Sequence, residues 1–308
     1  MKSKEKNCSS PDFIKFLGTG GARFVVSQQM RASGGIWLSC QGVQVHIDPG
    51  PGALVRCLAS RPKLDPSQLD GIILTHRHLD HAADVNIMIE AMTKGGYQKK
   101  GTLFAPTDAL DTDPVVLQYV RSYLAHIETL HEGGTYTIGP IRFSTPIRHN
   151  HPVETYGLKI SLCEMPFLSG KKIISLIADT LFFEGLASHY YQSDCLIINV
   201  VRLHSSPSTT SPPPTSSTHP TTSPPLTSFP RRRESSLPTE QIIYHLCLED
   251  VKKIITEIRP RKVLLTHFGS MILQANPLLL AEELSHSTGI QVIACSDGLT
   301  FSMEELFA

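Results

Sequence analysis

Thr75-His76-Arg77-His78-Leu79-Asp80-His81 places three imidazoles and a carboxylate within six residues, directly after the apolar run Ile72-Ile73-Leu74. Loops at strand ends are where α/β folds put their chemistry. In extended backbone His76 and His78 project to one side and can reach a single metal ion, while Asp80 and His81 turn toward a second. Neutral imidazole and carboxylate are donors that suit Zn²⁺. Downstream, Ala82 to Met92 carries Val85, Ile87, Met88, Ile89 and Met92 at helical spacing, so the local order is strand, polar loop, helix.

Upstream, Phe13 to Leu17, Gly35 to Cys40 and Val43 to Ile47 read as strands joined by Gly18-Thr19-Gly20-Gly21 and Asp48-Pro49-Gly50-Pro51-Gly52 turns. The LGTGG turn lacks a GxGxxG pattern and a helix-like continuation, so a dinucleotide site is not expected there. Further strands are readable at Ile141 to Pro146, Tyr156 to Leu162, Lys172 to Ile177, Cys195 to Val200 and Lys262 to Leu265, and around Val292 and Leu299. Helices are readable at Leu248 to Ile258 and Pro277 to Ser285. Strand-rich segments first and αβ units later point to two sheets stacked face to face with helices outside, an α/β fold of sandwich type.

Between Ser205 and Glu240 the chain is almost all Ser, Thr and Pro, with Leu226, Phe229 and Leu237 as its only large apolar residues. Such a segment cannot offset its ordering entropy by burial and is expected to be a disordered insertion in a surface loop. A short flexible N-terminus (1–11) and one domain over 12–308, interrupted at 205–240, is the expected organisation.

Lys plus Arg and Asp plus Glu both number 28, which removes any whole-chain field favouring nucleic acid or an anionic membrane. No stretch approaches the roughly 20 apolar residues of a membrane span, and Met1 to Pro11 lacks the apolar core of a secretion signal. The seven cysteines are scattered without a CxxC pair, which fits reduced thiols and a cytoplasmic setting.

The HxHxDH string, with Leu17-Gly18-Thr19-Gly20-Gly21, Asp48-Pro49-Gly50 and Leu264-Leu265-Thr266-His267 in order, resembles the metallo-β-lactamase superfamily. The opening Leu17-Gly18-Thr19-Gly20, His151-Pro152-Val153-Glu154-Thr155-Tyr156-Gly157 and His245-Leu246 look most like its ribonuclease Z and phosphodiesterase branch. The resemblance spans nearly the whole chain outside 205–240. It implies a four-layer αβ/βα sandwich and two divalent cations, zinc first, with Mn²⁺ or Fe²⁺ as alternatives. His76, His78 and His151 would hold one ion, Asp80, His81 and His267 the other, and Asp179 would bridge them. Asp48 and Thr266 are candidates for orienting ligand imidazoles. His149 is left to a supporting or substrate-contacting role, or to an exchange of roles with His151.

The same resemblance implies hydrolysis by a metal-activated water, with Asp80 and His245 as catalytic residues and His245 touching the scissile phosphate. An imidazole with an ordinary pKa near ~6.5 suits protonation of a leaving oxygen. There is no room between His151 and Asp179 for the long basic RNA-clamping arm of ribonuclease Z enzymes. The expected substrate is therefore a small phosphodiester or short nucleotide, without strong nucleic-acid binding, and a homodimer would be in keeping with relatives. A thioesterase or lactonase of the same fold, or a non-catalytic or decayed relative, are the competing expectations.

Overall fold

The computed structural model describes residues 11–111, 113–162, 170–205 and 243–308. The expectations for the N-terminal residues 1–10 and for 206–240 fall outside the described residues, as do Cys8 and Cys163. The other five cysteines are buried free thiols.

Two seven-stranded sheets carry the fold. The first holds β1 (Phe13–Phe16), β2 (Ile36–Cys40), β3 (Val43–Ile47), β4 (Gly71–Ile73), β5 (Thr102–Pro106) and β6 (His126–Leu130) in order, with a late strand, β14 (Thr300–Ser302), added beside β1. The second holds β7 (Gly134–Ile138), β8 (Ile141–Thr145), β9 (Leu158–Leu162), β10 (Lys172–Ile177), β11 (Cys195–Asn199), β12 (Lys262–Thr266) and β13 (Gln291–Ala294). Each sheet begins with antiparallel pairs and ends in parallel ones: β3 to β6 run parallel in the first, β10 to β13 in the second.

Alternation along the strands decides which side chains face the other sheet. In β11, Cys195 and Ile197 point into the core between the sheets, while Leu196 and Ile198 point outward under helices. Because both faces are covered, these parallel strands read as unbroken apolar runs. The inter-sheet core joins Phe16, Leu38, Ile47 and Phe104 of one sheet to Phe143, Ile160, Leu176 and Leu264 of the other.

On the outer face of the first sheet, α2 (Ala53–Ala59) and α4 (Val85–Thr93) bury Cys57, Val85, Met88 and Met92 against Trp37, Ile72 and Leu103. Two single turns, α3 (Leu79–Ala82) and α5 (Gln118–Arg121), flank them. On the second sheet α6 (Leu248–Ile258), α7 (Ser270–Gln274) and α8 (Pro277–Thr288) cover Ile198, Val263 and Leu265. The terminal α9 (Met303–Phe307) closes one edge of the inter-sheet core. Four layers, helix-sheet-sheet-helix, result. Among the described residues no helix is long and apolar enough to cross a membrane.

One local expectation is corrected. The LGTGG turn does lead into a helix, α1 (Ala22–Ser27), six residues long. Its β-branched Val25-Val26 pair and lack of a side-chain N-cap hid it from a propensity reading. Only Val25 is buried, so packing rather than propensity sustains it.

Candidate metal centre

The C-terminal ends of the parallel strands of both sheets converge on one cluster. β4 leads into a short non-helical stretch through Thr75 to His78, whose extended backbone (φ −62°, ψ 147°) opens the α3 turn. His76 and His78 therefore project from the strand-to-helix loop, and Asp80 and His81 from the first turn of a helix. His151 comes from the β8–β9 connection, Asp179 from the end of β10 and His267 from the end of β12.

Two groups of donors form, each with one donor atom per residue within 4.8 Å of the others: His76, His78, His151 and Asp179, and Asp80, His81, Asp179 and His267. All seven residues proposed as ligands from the sequence are brought together, and Asp179 belongs to both groups. Ring nitrogens meet head on: His151 Nε2 is 3.1 Å from His78 Nδ1, and His81 Nε2 is 2.8 Å from His267 Nε2. Asp80 Oδ2 lies 3.3 Å from His267 Nε2 and 3.7 Å from His81 Nε2.

Among the described residues, the buried side-chain atoms without a hydrogen-bond partner include His76 Nε2, Asp179 Oδ2, His267 Nδ1 and His245 Nδ1, all at this cluster. Orphaned buried donors and acceptors are costly, and an ion satisfies them at once. The donor set, imidazole with carboxylate, fits divalent cations such as Zn²⁺.

Charge in the cluster is uneven. Burial alone depresses the His81 ring, but the carboxylates of Asp179, Asp80 and Asp48 outweigh it and hold His81 well above the usual imidazole range. Burial pushes Asp179 up, yet His267, His245 and His81 overcome it and keep the carboxyl well below the ordinary range. His76 is driven well below its usual value by burial and by His81. Burial also takes His78 down to about 4.

Neighbours fix the rings. Asp48 accepts from Thr75 N at 2.7 Å and Thr75 Oγ1 at 2.7 Å, and its Oδ2 lies 3.0 Å from His81 Nδ1. Thr75 Oγ1 in turn sits 3.1 Å from His76 Nδ1. Asp48 and His267 both hold left-handed backbone, φ 53° and 60°, conformations that Asp and His tolerate better than most residues. Thr266 is buried beside Asn199 in register, with no hydrogen bond from its hydroxyl to a ligand imidazole among the described residues. His149 is buried, with Nε2 2.8 Å from Tyr190 Oη and its ring beside the Asp179 backbone, and belongs to neither donor group; His151 stands in the cluster.

Three supporting groups escaped the sequence reading. Asn199 donates from Nδ2 to Asp179 Oδ1 at 2.9 Å. Its position at the end of an apolar strand was the only available signal. Tyr244 contributes its carbonyl, 3.0 Å from His151 Nδ1, which no side-chain pattern announces. Arg202 donates from Nε and Nη2 to the His245 carbonyl at 3.1 and 2.7 Å.

His245 lies at the cluster's edge, with Nδ1 3.6 Å from Asp179 Oδ2. Burial takes it down to about 4, so the ordinary histidine pKa expected from sequence is corrected: the ring is held neutral. It lines a cleft of about 1210 Å³ together with His78, Asp80, His151 and Asp179.

The model of the beta-lactamase superfamily domain matches residues 44–268, which takes in every candidate ligand. The chain belongs to that superfamily. Its fold is that of metallo-beta-lactamase-fold hydrolases. An uncharacterized protein of Methanocaldococcus jannaschii is 27% identical over 294 residues, covering 93% of both chains. A ribonuclease Z of Kineococcus radiotolerans is 31% identical over 124 residues, 40% of this chain and 37% of that one. Among solved structures, the metallo-beta-lactamase fold protein YhfI from Bacillus subtilis superposes with a TM-score of 0.65 at 17% identity, covering 95% of this chain and 99% of its own. Superfamily membership thus accounts for the sandwich, and a His/Asp cluster suited to metal ions lies within it.

Proposed function

We propose that this protein hydrolyses small phosphodiesters with two divalent cations, Zn²⁺ first, as cofactors. His76, His78, His151 and Asp179 would hold one ion, and Asp80, His81, His267 and Asp179 the other. When bound, such a pair supplies a water acidified enough to attack at neutral pH and positive charge opposite the developing oxyanion. The observation that carries this reading is the pair of four-donor groups sharing Asp179, within which His76 Nε2, Asp179 Oδ2 and His267 Nδ1 are buried without partners.

The rest of the chemistry falls to the chain. Asp80, held between His81 and His267, is a buried carboxylate that burial pushes up and its histidine neighbours bring far lower. It stays ionised and able to accept a proton bond from the attacking water. His245, neutral in the free site, donates its N–H to a phosphoryl oxygen. The negative charge of a bound diester favours the imidazolium, countering burial, so the ring can pass a proton to the leaving oxygen. Water adds to phosphorus, the P–O bond to one alcohol breaks, and that alcohol leaves protonated.

Kinship with a ribonuclease Z supports the phosphodiester, and the size of the substrate follows from charge. The chain is neutral overall and, among the described residues, its cleft is lined by a single arginine, which offers little to a polyanion. The test is hydrolysis of bis(4-nitrophenyl) phosphate by purified protein with Zn²⁺ or Mn²⁺, beside Asp80→Ala. Metal-dependent turnover absent from the variant supports the reading. Two bound ions with no turnover would overturn it in favour of thioester or lactone substrates, which need the cations but not His245.

A further inference from the structure

The cleft is far larger than a phosphate. At about 1210 Å³ it exceeds the roughly 300 to 1,000 Å³ of ordinary small-molecule sites. Its walls are mostly apolar, formed by Val26, Pro51, Leu79, Pro152, Ile243 and Tyr244. Leu79 stands between His78 and Asp80 in the metal-binding loop, yet its side chain is 70% exposed, an apolar surface offered from within the catalytic loop itself. Ile243, across the cleft, is 45% exposed.

Among the described residues of this lining one side chain carries a permanent positive charge, Arg23 of α1. It is exposed and has no hydrogen-bond or ion-pair partner among the described residues. Nor is its helix loosely placed. Gly21, immediately before α1, donates its N–H to the Phe268 carbonyl at 3.1 Å, and a Cβ at Gly21 would lie 2.1 Å from His267 Nδ1. Arg23 is therefore held two residues from Gly21, whose backbone is pinned to the residue following His267, and lines the same cleft. An unpaired guanidinium beside apolar walls is an oxyanion receptor, since its planar fork pairs with carboxylate or phosphate.

Resting on the phosphodiesterase reading above, we infer that the cleft selects diesters in which one ester arm is an apolar or aromatic body bearing a second oxyanion, with Arg23 as the residue that binds that anion. The scissile phosphate lies at the His/Asp cluster, the body packs on Leu79 and Ile243, and the distal anion meets Arg23.

The test compares three substrates that share a 4-nitrophenyl leaving group: bis(4-nitrophenyl) phosphate, and the mixed 4-nitrophenyl diesters of 4-hydroxybenzoate and of 4-hydroxyphenylphosphonate. At least one anionic diester should show a KM about tenfold below that of the uncharged-arm substrate, and which of the two wins separates a carboxylate from a phosphate-like partner. In Arg23→Ala that preference should collapse to about one, and in Arg23→Glu it should invert. Turnover of all three without preference, or a preference that survives both substitutions, overturns the Arg23 assignment and leaves the phosphodiesterase reading intact. Turnover of none overturns both. Because Arg23 is exposed and unpartnered, neither substitution threatens folding.

Discussion

His81 Nε2 and His267 Nε2 lie 2.8 Å apart although their residues are 186 positions apart in sequence, and Asp80 Oδ2 faces both. The first sheet delivers His81 and the second delivers His267. The cluster therefore forms only when the two sheets stack, which makes it a reporter of the inter-sheet core.

Asp48 is the point where this arrangement is most exposed to mutation. Its carboxylate takes two hydrogen bonds from Thr75 and orients His81 Nδ1, so Asp48→Ala leaves a backbone N–H, a hydroxyl and a ring nitrogen without their acceptor. Zinc affinity is expected to fall by about 10- to 100-fold. Competition with a chromogenic chelator measures it.

The backbone at Gly21 has an ordinary extended conformation, φ −135°, so any effect of adding a methyl there is steric. A Cβ would stand 2.1 Å from His267 Nδ1 and must displace the ring. Gly21→Ala should lower turnover by about 100-fold or more. Gly42→Ala provides the contrast: φ 80° with nothing within 4 Å. That change should cost about 1 kcal/mol of stability and leave turnover as it was.

The two halves of the site differ in how readily they could be read. His76 to His81 were legible because ligand chemistry is packed into one short stretch, whereas Asp179 and His267, each at the end of an apolar strand, were assigned only through the family resemblance. The stacking of sheets was legible from strand-rich segments first and αβ units later. Strands β5, β6 and β7 were missed: Thr102–Pro106 ends in proline, and His126–Leu130 exposes nearly every side chain, so neither shows a burial period. Asn199, Arg202 and the Tyr244 carbonyl act through single hydrogen bonds set by tertiary placement, for which one sequence carries no spacing signal.

His46 gives the fold an acid limit of its own. It is fully buried, with Nε2 2.7 Å from the Gly34 carbonyl, and burial takes its pKa down to about 4, against opposing contributions from that hydrogen bond and from Asp48 and Asp84. The unfolded ring titrates near ~6.5, so between the two values the unfolded chain binds a proton that the folded chain refuses. Stability from the neutral ring is fully present above about 6.5 and is lost as pH falls toward 4, by roughly 3 kcal/mol in all. His46→Gln keeps a donor for Gly34 and does not titrate. Urea unfolding from pH 7 to 4 should fall less steeply for the variant than for the native chain.

Arg202 and His245 are joined across the segment 206–242. Arg202 clamps the His245 carbonyl, Leu248 N bonds the Arg202 carbonyl at 3.2 Å, and Arg202 forms a parallel bridge with Cys247. Arg202→Met should lower kcat by about 10- to 100-fold by letting His245 drift, with KM and bound metal little changed. In an His245→Ala background the same substitution should have almost no further effect on kcat. A loss that persists there would mean that Arg202 acts on the fold at large.

The most direct test of the two-cation site is the zinc content of chelator-stripped protein after titration and gel filtration, read by elemental analysis for the native chain and for His267→Ala and His151→Ala. Two ions per native chain, with each substitution removing tight binding of one, is the expected result. A single ion in the native chain, or no loss in either variant, would contradict a pair of sites joined through Asp179.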